Sequence, residues 1–179
     1  MLGIVTKLPE PFCSDILNLW EKLENEFGFT GIKVMPIPHF TWHVSNDYEI
    51  NEVIHEIRLL CKKMKPIQVS TEGLSFFVNE LFVAYNGIKN TPELKATQKL
   101  LCDTIDPYST NPANYYFPEN WVPHVTLVLQ DRALAKQKSN LMKFLRPYEL
   151  NWKFTVDNFL LINQVKKQKT EIEHEFRIK

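Results

Sequence analysis

Ile37-Pro38-His39-Phe40-Thr41 and Val122-Pro123-His124-Val125-Thr126 make the same five-residue statement twice, 85 residues apart, in a chain of 179. Each copy is an aliphatic residue, Pro, His, an apolar residue and Thr. Each runs on into β-prone residues, Trp42-His43-Val44 in the first and Leu127-Val128-Leu129 in the second. Successive side chains of a strand point to opposite faces, so His39 and Thr41 share one side, as do His124 and Thr126. Two matched His/hydroxyl pairs on two strands propose an active site and, with it, a chain built in two halves.

Outward from the motifs, the pattern is one of alternating strands and helices. Leu2 to Lys7 reads as a strand. From Pro11 to Phe27, Phe12, Ile16, Leu19, Trp20, Leu23 and Phe27 fall on one helical stripe that stops at Gly28. The first motif strand, about 37 to 45, is followed by an amphipathic helix through Val53, Ile57, Leu60, Cys61 and Met64, stopped by Pro66. Strands at about 67 to 77 and 80 to 86 form a hairpin. Thr91-Pro92-Glu93 then opens a helix, with Thr at the cap and Pro in the first turn. Residues 107 to 120 read as one long irregular segment before the second motif strand. A helix from about 133 to 145, a strand from Trp152 to Ile162, a polar turn and a strictly alternating strand through Ile172, His174, Phe176 and Ile178 complete the chain. Each half contributes one motif strand, which suggests a pseudo-two-fold arrangement around a central cleft.

The chemistry that wants two such pairs is displacement at phosphorus. A neutral imidazole takes a proton from the attacking oxygen while a protonated one supplies a proton to the leaving oxygen. His39 and His124 are the candidates, and the sequence leaves open which is base and which is acid. The hydroxyls of Thr41 and Thr126 can donate to the non-bridging oxygens, where negative charge builds.

The paired His-x-Thr strands resemble the signature of the two-histidine (2H) phosphoesterase superfamily, which includes RNA 2',5'-ligase-like proteins and 2',3'-cyclic phosphodiesterases. The stretches Glu72-Gly73-Leu74-Ser75-Phe76-Phe77 and Leu81-Phe82-Val83-Ala84-Tyr85, with a helix opening near Leu94, resemble what separates the motifs in that family. The resemblance implies an α+β fold of two pseudo-symmetric β/α lobes with mainly antiparallel sheets flanking the cleft. It also implies a metal-independent phosphoesterase acting on a 2',3'-cyclic phosphate or a 2',5'-linked nucleotide or RNA end. The alternatives are a non-catalytic nucleotide-binding module using the same cleft, and an RNA 2',5'-ligase, since reversal with an RNA hydroxyl in place of water would be ligation.

Composition bounds the rest. The length suits a single domain, 1–179, and 44% apolar with 23% charged residues is ordinary for a globular enzyme. Lys plus Arg and Asp plus Glu balance at 21 each, so no global field draws in a long polyanion. The expected partner is a nucleotide or the end of an RNA rather than a duplex, and the expected oligomeric state is a monomer. Cys13, Cys61 and Cys102 are odd in number and lack metal-ligand spacing, which argues for free, buried thiols in a reducing compartment. With neither a secretory signal nor a membrane span in the sequence, the expected location is the cytoplasm, or the nucleus in a eukaryote.

The remaining candidates are tied to these strands. His43 continues the His39/Thr41 face and is expected to touch substrate, unless it packs beyond the cleft floor with its ring hydrogen-bonded. His39 and His43 do not read as a metal site, because four residues of strand separate their Cα atoms by roughly 13 Å. Neither metal nor cofactor is expected. Tyr115, Tyr116 and Phe117, just upstream of the second motif, can stack on a base or anchor their loop. Lys166, Lys167 and Lys169 can meet RNA phosphates or simply be solvated. His55 reads as a surface residue and His174 as structural.

Overall fold

The computed structural model describes all residues except 36, 79–80, 132–136 and 164–169. Among these described residues, nine strands form one antiparallel sheet: β1 (Leu2–Lys7), β2 (His39–Tyr48), β3 (Ile67–Val78), β4 (Leu81–Ile88), β5 (Ser109–Pro112), β6 (His124–Asp131), β7 (Lys153–Val156), β8 (Asn158–Asn163) and β9 (Glu171–Arg177). The order across the sheet is β7-β3-β4-β6-β2-β1-β8-β9, with β5 added to β2. The two motif strands, β6 and β2, are therefore the middle pair, with three further strands of the path on each side.

Among the described residues, four α-helices cover one face: α1 (Phe12–Phe27), α2 (Ile50–Lys63), α3 (Pro92–Ile105) and α4 (Lys138–Leu145). α1 lies on the β7 side, where Phe12 stacks on Trp152 at 5.1 Å and Phe27 meets Phe144 of α4 edge-on at 5.3 Å. α2 and α3 pack together, against β9 and β2 respectively. The apolar stripes read from the sequence are the buried ones: Ile16, Leu19, Trp20 and Leu23 on α1, and Val53, Ile57, Leu60 and Cys61 on α2. Thr91 caps α3 as its sequence predicts, its hydroxyl accepting the Leu94 N–H at 3.2 Å. The three cysteines are buried and free.

The core meets the sheet through Phe40, Trp42 and Val125, all fully buried. Trp42 packs against Phe40, Trp121 and Phe159 at 4.9, 5.3 and 5.5 Å, so the apolar residue inside the first motif and the Trp just after it anchor the middle of the sheet. A separate small cluster of Val5, Leu160 and Ile162, with Met35 against it, lies apart from this core. The sheet thus has a helix-covered face and a second face that carries the motif histidines.

Two expectations change. The stretch from Trp152 to Ile162 breaks at Asp157 into β7 and β8, which pair with β3 and β1 in opposite halves of the sheet. One residue can join strands from opposite halves only because the sheet curls until its two flanks approach. Residues 107 to 120 are more ordered than their Pro and Asn content implies, for β5 pairs with β2 through Ser45 and Pro112, Asp47 and Thr110, and Tyr48 and Ser109. The helix expected from about 133 is described from Lys138, and Lys166, Lys167 and Lys169 lie outside the described residues. No described helix is long and apolar enough to cross a membrane.

Candidate active site

The strands β2 and β6 meet at the pair Phe40 and Val125. In an antiparallel pair, one step to either side puts His39 beside Thr126 and Thr41 beside His124, on the face opposite the buried Phe40 and Val125. Directly opposed side chains start about 5 Å apart and diagonal ones about 7–8 Å, so the two imidazoles flank a gap the size of one phosphate. Each hydroxyl stands next to the other motif's imidazole.

The duplication extends into the hydrogen bonding. His39 Nδ1 donates to the Ile37 carbonyl at 2.5 Å and His124 Nδ1 donates to the Val122 carbonyl at 2.7 Å. A carbonyl only accepts, so Nδ1 carries the proton in both rings and each neutral imidazole keeps its lone pair on Nε2. The Pro between carbonyl and His has no N–H to compete for that oxygen, and its fixed φ holds the two-residue step. Its own carbonyl is used as well: Leu8 N donates to Pro38 O at 3.0 Å and Ile88 N to Pro123 O at 2.9 Å. All five motif positions therefore have structural work, and the two copies do it alike.

The copies also share a bulge. Val5 pairs with Thr41 and Ile4 with His43, which leaves Trp42 as an extra residue; Tyr85 pairs with Thr126 and Ala84 with Val128, which leaves Leu127 extra. Each motif strand is thus kinked directly after its Thr, as bulges beside functional sites do.

That kink corrects the reading of His43. The extra residue breaks the alternation, and His43 turns into the protein with no exposed surface. Its Nε2 donates to Asp106 Oδ1 at 2.9 Å and its Nδ1 accepts the Tyr48 hydroxyl at 2.6 Å. Both ring nitrogens are committed, so His43 ties β2 to the end of α3 and does not face the cleft. Burial pulls its pKa below the ordinary value, with Asp106 opposing.

The aromatic triplet divides. Tyr115 is 73% exposed. Tyr116 is half-buried, its phenol beside the Thr41 hydroxyl, while its carbonyl accepts from the buried Gln98 Nε2 at 2.7 Å. Phe117 is half-buried and belongs to neither motif strand. His55 is exposed, and His174, expected on the inner face of the last strand, instead accepts from Arg58 at 3.1 Å on its exposed surface, where a register shift against β8 breaks the alternation. Two residues not singled out as site residues line the site, and Trp121 supports it from the core, stacked on Trp42. Tyr85 and Phe77 stack at 4.3 Å and their rings lie 5.0 and 5.3 Å from His124, while Trp121 Nε1 donates to the Thr41 carbonyl at 2.9 Å. Tyr85 and Phe77 belong to the hairpin between the motifs, and only its register brings them across to β6.

Burial lowers the pKa of both motif imidazoles. For His39 it falls to about 4, burial being the chief cause, with the Ile37 hydrogen bond opposing and the neighbouring His124 adding to it. His124 shifts the same way, by burial against the Val122 hydrogen bond. Between about pH 4 and the ordinary histidine value of about 6.5, the unfolded chain takes up a proton at His39 that the native state refuses. Folding stability is therefore expected to fall as pH drops through that window. Urea midpoints at about pH 7 and about pH 4.5 check this: the loss should be smaller in His39→Gln than in the wild type.

The model of the 2'-5' RNA ligase superfamily matches residues 9–168. The chain belongs to that superfamily, the two-histidine phosphoesterases. Among solved structures it is similar to TT0787 of Thermus thermophilus, at 16% identity and TM-score 0.63 over 99% of this chain and 97% of that one. It is also similar to E. coli LigT complexed with NADP+, at 13% identity and TM-score 0.60 over 99% and 96%. A third is Kluyveromyces marxianus Usb1 with uridine monophosphate, at 13% identity and TM-score 0.55 over 96% of each chain. At these identities the likeness is one of fold. No curated protein sequence matches significantly.

Proposed function

We propose that this protein is a metal-independent phosphoesterase that acts on a 2',3'-cyclic phosphate or a 2',5'-linked nucleotide or RNA end. The observation that carries the reading is the pair of imidazoles on one face of the central strands, each with Nδ1 tied to a carbonyl and Nε2 left for proton transfer. One Nε2 takes the proton of the attacking water, and the other, protonated, gives one to the departing ribose oxygen. Thr41 and Thr126 donate to the non-bridging oxygens as charge accumulates there. Nucleotides held by the similar LigT and Usb1 structures support a nucleotide substrate.

The test is an assay of the purified protein in excess chelator against 2',3'-cyclic mononucleotides, 2',5'-dinucleotides and RNA ending in a cyclic phosphate. Turnover of at least one class should survive chelation. Loss of activity restored by a divalent ion would transfer the work of the imidazoles to a metal. Because one His must be neutral and the other protonated, kcat/KM should follow a bell-shaped pH profile. With both imidazoles shifted downward by burial, its maximum should lie on the acid side of the ordinary histidine value of about 6.5. Binding of nucleotides without turnover of any would leave a recognition module in place of an enzyme.

A further inference from the structure

The two strands that end the sheet are each guarded against pairing with another chain. β9 sets exposed Glu171, Glu173, Glu175 and Arg177 along its length, and β7 is four residues long with exposed Lys153 at its start. Charge and brevity are common protections of a strand edge. Because β7 is so short, it covers β3 only from Ile67 to Ser70, after which Thr71 N donates to Trp152 O at 3.0 Å. Beyond that point, nothing among the described residues pairs with β3 on the side away from β4. The uncovered stretch is Gly73-Leu74-Ser75-Phe76-Phe77, which carries neither a charge nor a proline and is half-buried throughout.

The direction of its main chain follows from β4. Ile88 N donates to Pro123 O on the β6 side at 2.9 Å, so alternation turns the main-chain groups of Asn86 and Ala84 toward β6 as well. Their partners across the ladder, Leu74 and Phe76, then turn N–H and C=O away from β4, to the open edge. The side chains of Leu74 and Phe76 pack against the core, on the helix-covered face. There a cavity of about 440 Å³ opens beside the edge, lined by Leu74, Met142, Tyr148 and Leu150. Exposed Lys143 and Arg146 complete its wall, and Lys138 lies over the Phe76 ring at 4.4 Å. α4 carries no acidic residue, and Lys143 and Arg146 have no ion pair among the described residues. The neighbouring carboxylates are turned elsewhere: Glu149 accepts the Asn151 amide at 3.1 Å, and Glu72 lies over Gly87.

We propose that the open edge of β3 is a docking site for an extended, acidic segment of another protein, which joins the sheet as a further strand. Its main chain bonds to the outward groups of Leu74 and Phe76. A side chain opposite Leu74 shares that residue's face and enters the cavity, and an Asp or Glu beside it meets Lys143 and Arg146. A second copy of this chain fits less well. Pairing β3 with β3 about a two-fold axis, so as to continue the antiparallel sheet, puts both α4 helices on one face with their cations toward each other and no carboxylate between. A single-stranded RNA would meet the cations but make no use of a main-chain ladder or an apolar cavity. The proposal stands apart from the phosphoesterase reading, since no motif residue belongs to this edge.

Two measurements test it. Hydrogen exchange followed by NMR should show the Leu74 and Phe76 amides of the unbound protein exchanging at least about tenfold faster than those of Ser75 and Phe77, which bond to β4. Panning a phage-displayed random heptapeptide library on the protein should enrich sequences that set an apolar residue beside Asp or Glu. The enriched sequence, made as a synthetic peptide, should slow exchange at Leu74 and Phe76. The variant Lys143→Glu/Arg146→Glu, altered at two exposed positions, should unfold at the wild-type temperature and bind that peptide about tenfold more weakly. Leu74 and Phe76 amides already protected in the unbound protein would mean that the edge is covered, and would end the proposal. Panning that enriches no such sequence, equal binding by the charge-reversed variant, protection by an oligouridylate in place of the peptide, or a dimer in sedimentation that protects the same amides would each overturn it.

Discussion

Replacing His39 or His124 with Ala is expected to lower kcat/KM by on the order of 10²–10⁴-fold, because each variant lacks one of the two groups proposed for proton transfer. The double variant should be little worse than the poorer single one, since base and acid act in one step and neither is useful alone. Neither ring is a core filler. Each half-buried imidazole sits on the open side of its strand, opposite the fully buried Phe40 and Val125, so the variants should fold. Circular dichroism and urea midpoints near neutral pH should stay close to those of the wild type, while a His55→Ala control keeps full turnover. Full activity in either single variant would end the acid–base assignment.

The motif pairs were legible in the sequence because alternation along a strand needs no tertiary information. Once His39 and Thr41 share a face, and His124 and Thr126 share a face, only the meeting of the two strands is left to the fold. Helix positions were legible for a related reason. The stripes on α1 and α2 repeat at helical spacing, and Thr91-Pro92 is a start signal that acts through its own backbone. What stayed hidden depends on register. Trp42 and Leu127 are extra residues only relative to β1 and β4, so the turn of His43 into the protein cannot be read from β2 alone. The role of the motif prolines was hidden as well, since it lies in carbonyls that reach His39 Nδ1, His124 Nδ1 and the amides of Leu8 and Ile88.

Long-range pairing explains the other differences. Asp157 divides one apparently continuous strand because its two halves find different partners, β3 for Lys153–Val156 and β1 for Asn158–Asn163. Asn158 then ties the break to the first motif's neighbour, its side chain accepting from Lys7 N at 2.9 Å and donating to Lys7 O at 3.1 Å. The segment before the second motif is similarly held from outside. β5 takes the free edge of the end of β2, Gln98 fixes the Tyr116 carbonyl, and Tyr116 arrives on Thr41. A loop composition rich in Pro and Asn says where regular structure is weak locally, and says nothing of what a neighbouring strand edge can impose.

That arrival of Tyr116 makes the two threonines unequal and gives the second large effect. Thr→Val keeps the shape and removes the hydroxyl, so Thr126→Val should forfeit a donor to the non-bridging oxygen and cost on the order of 10²-fold in kcat, in the range for loss of one oxyanion donor. Thr41→Val removes the same kind of donor but leaves the Tyr116 phenol beside the vacated position, where its O–H can turn to the phosphate oxygen. Tyr85 stands opposite Thr126 across the ladder, but its phenol is drawn to Ser75, whereas the Tyr116 phenol lies beside Thr41. Thr41→Val should therefore be milder, by about a tenfold factor, which is one hydrogen bond to a charged group. Tyr116→Phe alone should change kcat little, since Thr41 still donates. Combined with Thr41→Val, it should bring the loss to that of Thr126→Val, and this departure from additivity is measured by the double-mutant cycle. Equal losses in the two single Thr variants, with no coupling to Tyr116, would reduce the Tyr116 contact to packing of its loop.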